Sequence, residues 1–244
     1  MNTPAPTETF DERYLEWKDW QPREFGRCSA SLAHYFAAET GLRDARGRRV
    51  LELGFGNGEL LGWLRERGAE VYGVEANPQL VAQARQLLGD EHVGADLQAA
   101  ALQRLAGQFT DIFALDVLEH VPQESLGVLL SQLAALLAPG GRILARFPNG
   151  DSPFGRINQH GDPTHVTTIG RAKIEYFARR AGLQVQLRAP ALARDRNRIR
   201  RSLLRAGRAV VERIIGLLYF GGRRIPLDPN YVAVLTRPKA AAGG

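Results

Sequence analysis

Short apolar runs alternate along this chain with longer segments whose apolar residues recur at helical spacing. Ser31 to Glu39 reads as a helix that stops near Gly41. Arg49–Leu53 is the first strand-like run, and Glu59 to Arg67, closed by Gly68, is the helix behind it. The pattern repeats as strand Glu70–Glu75, then helix Pro78–Leu88 with proline in its first turn. A short third strand follows at His92–Asp96. Phe109 to Asp116 is almost continuously apolar, as a strand buried on both faces would be. Pro122 to Leu137 is a helix broken by Pro139-Gly140-Gly141, and Arg142 to Phe147 is the fifth strand. Helix 170–181, strand Leu183–Leu187 and a final strand Tyr231–Thr236 complete the alternation. Strands alternating with helices predict an α/β fold, a mostly parallel sheet with helices on both faces.

This pattern divides the chain into a helical N-terminal cap over 1–47, a core over 48–190, an insertion over 191–226, and a last strand with its tail over 227–244. Residues 1–9 read as frayed. Tyr14, Trp17, Trp20 and Phe25 are spaced either for a lid over a ligand or for a helix facing the core. The first residues show no basic region leading into an apolar stretch, so the expected compartment is the cytoplasm. The most apolar stretch, Ala209–Phe220, contains Glu212 and Arg213 and falls short of the ~20 apolar residues a bilayer crossing needs. A single cysteine, Cys28, excludes a disulfide framework and a multi-cysteine zinc site.

The candidate chemistry begins at Glu52-Leu53-Gly54-Phe55-Gly56-Asn57-Gly58, between a strand and a helix. Glycines there let the backbone turn sharply and approach a ligand closely. The dinucleotide pattern is Gly-x-Gly-x-x-Gly. Here the spacing is Gly-x-Gly-x-Gly, and the acid Glu52 in front of it would repel a pyrophosphate but suits a cation. Glu75 ends the second strand, where a carboxylate can accept hydrogen bonds from both hydroxyls of a ribose. Asp96 follows the third strand, as an adenine contact or as the cap of a helix over Leu97–Leu105.

These segments, with Val74-Glu75-Ala76-Asn77, Ala95-Asp96-Leu97 and Leu115-Asp116-Val117-Leu118-Glu119-His120-Val121-Pro122, resemble the successive motifs of class I S-adenosylmethionine-dependent methyltransferases. Leu137-Ala138-Pro139-Gly140-Gly141 is similar to that family's turn after the fourth strand. The resemblance covers about residues 48–187 and the last strand. It implies a Rossmann-like sheet of seven strands with the last antiparallel, and S-adenosylmethionine as cofactor. It also implies roles. Glu52, Gly54, Gly56 and Gly58 lie near the methionine end, Glu75 and Ala76 at the ribose, Asp96 and Leu97 at the adenine, and Asp116 and Leu118 line the site. His120 either supports the fold beneath the cofactor or meets the substrate.

A polar loop, Phe147 to His165, leaves the carboxyl edge of the fifth strand, where open α/β sheets bind ligands. It gathers His160, Asp162 and His165 within a few residues. A histidine titrates near neutral pH and an aspartate can orient it, so His165 or His160 is a candidate base, with Asp162 as partner or as the base itself. Arg156, Asn158 and Gln159 are candidate substrate contacts, and turn structure around Gly161-Asp162-Pro163 is the alternative for the whole cluster. His-x-Asp-x-x-His also offers metal ligands, but no further acids cluster in that stretch, and no metal is assigned. The loop resembles those of bacterial methyltransferases of polysaccharide and O-antigen assembly, and also those that methylate quinones and other small molecules. The expected acceptor is a sugar hydroxyl in surface-polysaccharide synthesis. The alternatives are a quinone-like metabolite, or a non-catalytic cofactor-binding module in a glycan-assembly complex.

Charge changes one part of this picture. The net charge of +6 is uneven: residues 188–224 hold eleven arginines against two acids, and the rest of the chain sums to −3. The arginines precede an amphipathic helix over Ser202–Phe220. Residues 194–220 could meet an anionic membrane, cover the site or pair with another subunit. Nucleic acid is not the expected partner, because no binding module accompanies the patch.

Overall fold

The computed structural model describes residues 12–20, 24–191 and 198–239. The stretch expected to fray, 1–9, and residues 194–197 of the arginine run lie outside the described residues. In chain order the elements are α1 (Glu12–Trp17), α2 (Ala30–Thr40), β1 (Arg49–Leu53), α3 (Glu59–Glu66), β2 (Glu70–Val74), α4 (Pro78–Leu88), β3 (Val93–Gly94) and α5 (Ala100–Gln103). Then come β4 (Phe109–Leu115), α6 (Gln123–Leu136), β5 (Leu137–Pro148), α7 (Gly155–Gly161), α8 (Arg171–Arg180), β6 (Gln184–Arg188), α9 (Arg198–Tyr219) and β7 (Asn230–Thr236).

Local chemistry sets the helix ends. Ser29 accepts from the Leu32 amide to start α2, which stops at Gly41 in the left-handed region at φ 73°. Asn77 accepts from the amides of Gln79 and Leu80, and Pro78 opens α4 behind it.

The strands form one sheet in the order β3-β2-β1-β4-β5-β7-β6. β7 runs antiparallel to β5 and β6, and the other pairs are parallel. Consecutive strand residues feed opposite faces, as the two-residue repeat of a strand requires. Leu51, Ile112 and Ile143 enter the core on one face, and Val50, Phe113 and Leu144 enter it on the other. The strand order reverses between β1 and β4. Ligands of open α/β sheets bind in the crevice outside the carboxyl ends at such a reversal. The glycine loop leaves β1 there, and Asp116 follows β4.

Four expectations change. The fifth strand starts at Leu137, before the glycine pair. Gly140 and Gly141 pair with Arg237 through both backbone groups, so the Pro139-Gly140-Gly141 turn is absorbed as an irregularity in a longer strand. The polar loop contains α7, whose Gly, Asn, Gln and His content hides it from a propensity reading. Near Asp96 the expected strand shrinks to Val93–Gly94, and the helix after it to a single turn. The amphipathic helix begins at Arg198, a turn earlier than its apolar pattern suggests. No helix of the described residues is long and apolar enough to cross a membrane.

Candidate active site

The three loop glycines all have positive φ, and Gly54 (65°) and Gly56 (52°) show what else they supply. A Cβ on Gly54 would lie 2.6 Å from Val117, and one on Gly56 would lie 2.7 Å from Trp20. The loop is therefore pressed between the turn after β4 and an aromatic of the N-terminal segment, with no room for side chains. Glu75 reaches across and accepts from the amides of Gly56 (3.1 Å), Ala76 (2.8 Å) and Asn77 (3.1 Å), tying the end of β2 to this loop.

A cavity of about 390 Å³ opens on this scaffold. Gly54, Gly56, Glu75, Ala76, Asp96, Leu97 and Asp116 all line it. Asp96 also accepts from the Gln98 amide at 2.7 Å, so the capping and cavity-lining readings hold together. Leu118 does not reach the cavity. It is fully buried in the core, and its neighbour Val117 stands at the wall instead. Gly58 also lies outside both cavities described here, where it starts α3 and packs on Phe25.

A second cavity of about 820 Å³ adjoins the first, with Tyr14, Trp20, Gly54, Gly56, Asp116 and His120 lining both. Glu52 is on its wall, buried, with Oε2 lacking a protein partner. Burial, and then the nearby Glu75, pushes the Glu52 carboxyl well above the carboxylate range. Glu52, Glu59, Glu75 and Asp116 together give the two cavities an acidic lining. Such a lining, joined to an orphaned carboxylate and a cradle too tight for side chains, suits a ligand that carries a cation and a ribose.

Asp116 has a left-handed backbone at φ 56°, a conformation that costs a non-glycine residue about 1–3 kcal/mol. A fork from Arg146 holds it there, with Nε at 2.8 Å from one carboxylate oxygen and Nη2 on the other. Arg146 also donates to the Tyr35 hydroxyl, and all three line the larger cavity. Neither Arg146 nor Tyr35 is signalled by the sequence.

The histidine–aspartate cluster forms differently from its order in the chain. His165 is brought against His120, with ring centroids 4.6 Å apart. Its Nδ1 faces the Gln159 carbonyl at 3.2 Å. A carbonyl only accepts, so that contact assigns the ring proton to Nδ1 and leaves a lone pair on Nε2. Nε2 lies 3.8 Å from Asp162 and 3.9 Å from Glu119. Burial works to raise the Asp162 carboxyl, but hydrogen bonds from Thr164 and Lys18 outweigh it and hold it at about 2. Asp162 is thus a standing negative charge beside His165, which corrects its reading as the base: a carboxylate held that low is a poor proton acceptor.

His160 is exposed on α7 and lines neither cavity, so it is also removed from the candidate bases. Arg156 is exposed and lines neither. Gln159 is buried and serves His165 through its backbone. Asn158 does reach the larger cavity. Lys18 is a further residue that sequence reasoning overlooked. Its ammonium pairs with Asp162 at 2.9 Å and sits 4.6 Å from the Trp17 ring.

Glu119 is 1% exposed with neither carboxylate oxygen hydrogen-bonded, and burial, then Asp116, pushes it well above the carboxylate range. Burial and the neighbouring His165 push His120 below its ordinary value. Glu119, His120 and His165 offer ligand atoms within 4.8 Å of one another, so they are the described residues that could hold a divalent cation.

A family profile described as a methyltransferase domain matches residues 10–188. Among curated proteins, the chain is 30% identical over 155 residues to the ubiquinone biosynthesis O-methyltransferase of Xanthomonas euvesicatoria pv. vesicatoria. That match covers 57% of this chain and 64% of the relative, so the chain spans under two thirds of the relative's length. Among solved structures, an S-adenosylmethionine-dependent methyltransferase from Archaeoglobus fulgidus superposes with a TM-score of 0.60 at 20% identity, covering 93% of this chain and 100% of that one. Phosphoethanolamine N-methyltransferase 2 of Haemonchus contortus, in complex with S-adenosylmethionine, gives 0.59 at 16% identity, covering 97% and 60%. The sheet order, the glycine cradle with its acidic wall and the profile match agree: this chain belongs to the methyltransferase-domain family, in the class I S-adenosylmethionine-dependent fold.

Proposed function

We propose that the chain methylates a phenolic hydroxyl of a quinone-like acceptor, with His165 as general base and S-adenosylmethionine in the cradle formed by Glu52, the glycine loop, Glu75 and Asp96. The observation that carries this is the larger cavity. Tyr14, Trp17, Trp20, Tyr35 and Phe36 supply flat apolar walls, and the imidazole of His165, with its proton placed on Nδ1, turns Nε2 toward the carboxylate of Asp162. The printed names of the curated relatives support it, and they move the preference from a sugar hydroxyl, the acceptor first expected, to a quinone precursor.

Acidity supports the same choice. A phenol ionises near 10, about 3–4 units above an imidazole, whereas an alkyl hydroxyl lies far higher, toward water itself. S-adenosylmethionine, when bound, supplies an electrophilic methyl group on a sulfonium. The work left to the protein is to hold the acceptor in line and remove its proton. His165 Nε2 takes that proton, and the fixed charge of Asp162 stabilises the imidazolium. Tyr14 and Trp20 of the N-terminal segment line both cavities.

Transfer of labelled methyl tests the proposal, with an alkyl-substituted ortho-dihydroxybenzene offered in parallel with a mixture of nucleotide-linked and lipid-linked sugars. Label in the phenol and not in the sugars is the expected result. Label in the sugars alone overturns it.

A further inference from the structure

Helix α9 lies inside out. Its charged edge faces the body. Glu212, 3% exposed, accepts from Arg224 (2.6 Å) and from the Leu227 amide (2.9 Å), and Arg208 pairs with Asp228 at 2.5 Å. Gly216 lets the following chain pass close by, since a Cβ there would meet the Arg223 carbonyl at 2.6 Å. The apolar side is left facing solvent: Leu203, Val210, Ile214, Leu217 and Leu218 are 52–72% exposed. Phe154, just before α7, and Ile157 within it extend this surface across a groove of about 740 Å³ lined also by Leu203, Leu204 and Val211. An exposed apolar surface of this length on a folded chain marks a contact.

Charge selects the partner. Residues 198–224 contain eight arginines, and their single acid, Glu212, is already paired with Arg224. By helical spacing Arg213 flanks the apolar stripe on the side of Leu217, and Arg200 falls in line with Leu218; both are exposed. A second copy docking through the same face would set arginines against arginines, because a two-fold contact is self-complementary only when the patch is. A nucleic acid would find aliphatic groups along the stripe in place of stacking rings. We propose that the outward face of α9, with Phe154 and Ile157 at the start of α7, docks on an anionic lipid bilayer, with its apolar side chains in the acyl boundary and its guanidinium groups on headgroup phosphates. The groove shares Ile157, Asn158 and Leu204 with the larger cavity, so the docked surface lies beside the mouth of the acceptor site. The inference stands whichever acceptor is methylated.

Vesicle flotation with the full chain tests it. Vesicles of phosphatidylcholine with about one third phosphatidylglycerol are expected to carry the protein. Phosphatidylcholine alone is expected to carry at least tenfold less, and the difference should shrink in 0.5 M salt. The double variant Leu217→Asp/Leu218→Asp alters side chains that face solvent. It is expected to keep its melting temperature and cofactor affinity and to lose at least tenfold in flotation. Absence of flotation on anionic vesicles, or flotation unchanged by the double variant, overturns the proposal. So does a dimer in sedimentation that the double variant dissociates, which would assign the face to a second copy.

Discussion

The two halves of the cleft are built by different means. The cofactor half is made of backbone. Its shape follows from three glycines at positive φ, from amides tied to Glu75, and from strand ends close together in the sequence. The acceptor half is made of side chains brought from far apart: Lys18 to Asp162, His120 to Thr164, Tyr35 to Arg146. A backbone cradle tolerates little change in shape. A side-chain cluster can be altered one group at a time without disturbing the fold. The first half therefore suits a ligand common to a family, and the second an acceptor particular to one member.

Substitutions can break this comparison, and the largest effect belongs to the acceptor half. His165→Gln is expected to lower kcat by about 10²–10⁴ while calorimetry shows cofactor Kd within twofold. The same change at His160, exposed on α7, should leave both unaltered. A cofactor affinity that falls together with kcat in His165→Gln would merge the two halves.

Next is Glu75→Gln. It keeps the shape and removes a charged acceptor, a loss of about 1.5–3 kcal/mol, or roughly 10- to 150-fold in cofactor Kd. Normal kcat at saturating cofactor is expected, and a kcat defect of the same size would contradict the division.

Lys18→Met is smaller. Asp162 sits at about 2, below the ordinary 3.8, so the stability it contributes is present above pH 3.8 and is lost as pH falls toward 2. The variant should melt below the parent at pH 6, and the two should converge near pH 2. A gap that persists there would place the role of Lys18 in packing against Trp17 rather than in charge.

The smallest effect is a proton count. Burial pushes the Glu52 carboxyl up, which favours its protonated form, and a bound cation opposes that shift, so binding is expected to release protons. Affinity should therefore tighten as pH rises, and calorimetry in buffers of different ionisation enthalpy should register the release. The release should vanish in Glu52→Gln.

The same division decides what the sequence makes legible. The alternation of strands and helices, the glycine cradle and the placement of Glu75, Asp96 and Leu97 beside it were readable because each depends on residues near one another in the chain. Leu118 was misplaced by one position, since a short 3₁₀ turn at Leu118–His120 rotates it into the core and puts Val117 at the wall. His160 was misjudged because α7 was hidden, and that helix turns it away from its neighbour in sequence, His165. Lys18, Arg146 and Thr164 act through contacts across more than a hundred residues of chain or through one loop's conformation, and no local pattern encodes such meetings.

The position of β7 has a consequence for how the molecule is made. Among the described residues β6 finds its strand partner only in β7, and all of residues 189–229, α9 included, emerge from the ribosome between them. During synthesis the growing sheet thus ends at β5 with an open antiparallel edge, while the inside-out helix is already formed and exposed. β7 closes that edge by inserting between two elements made earlier, so assembly of the acceptor side, which includes Asn230, waits until β7 has been made.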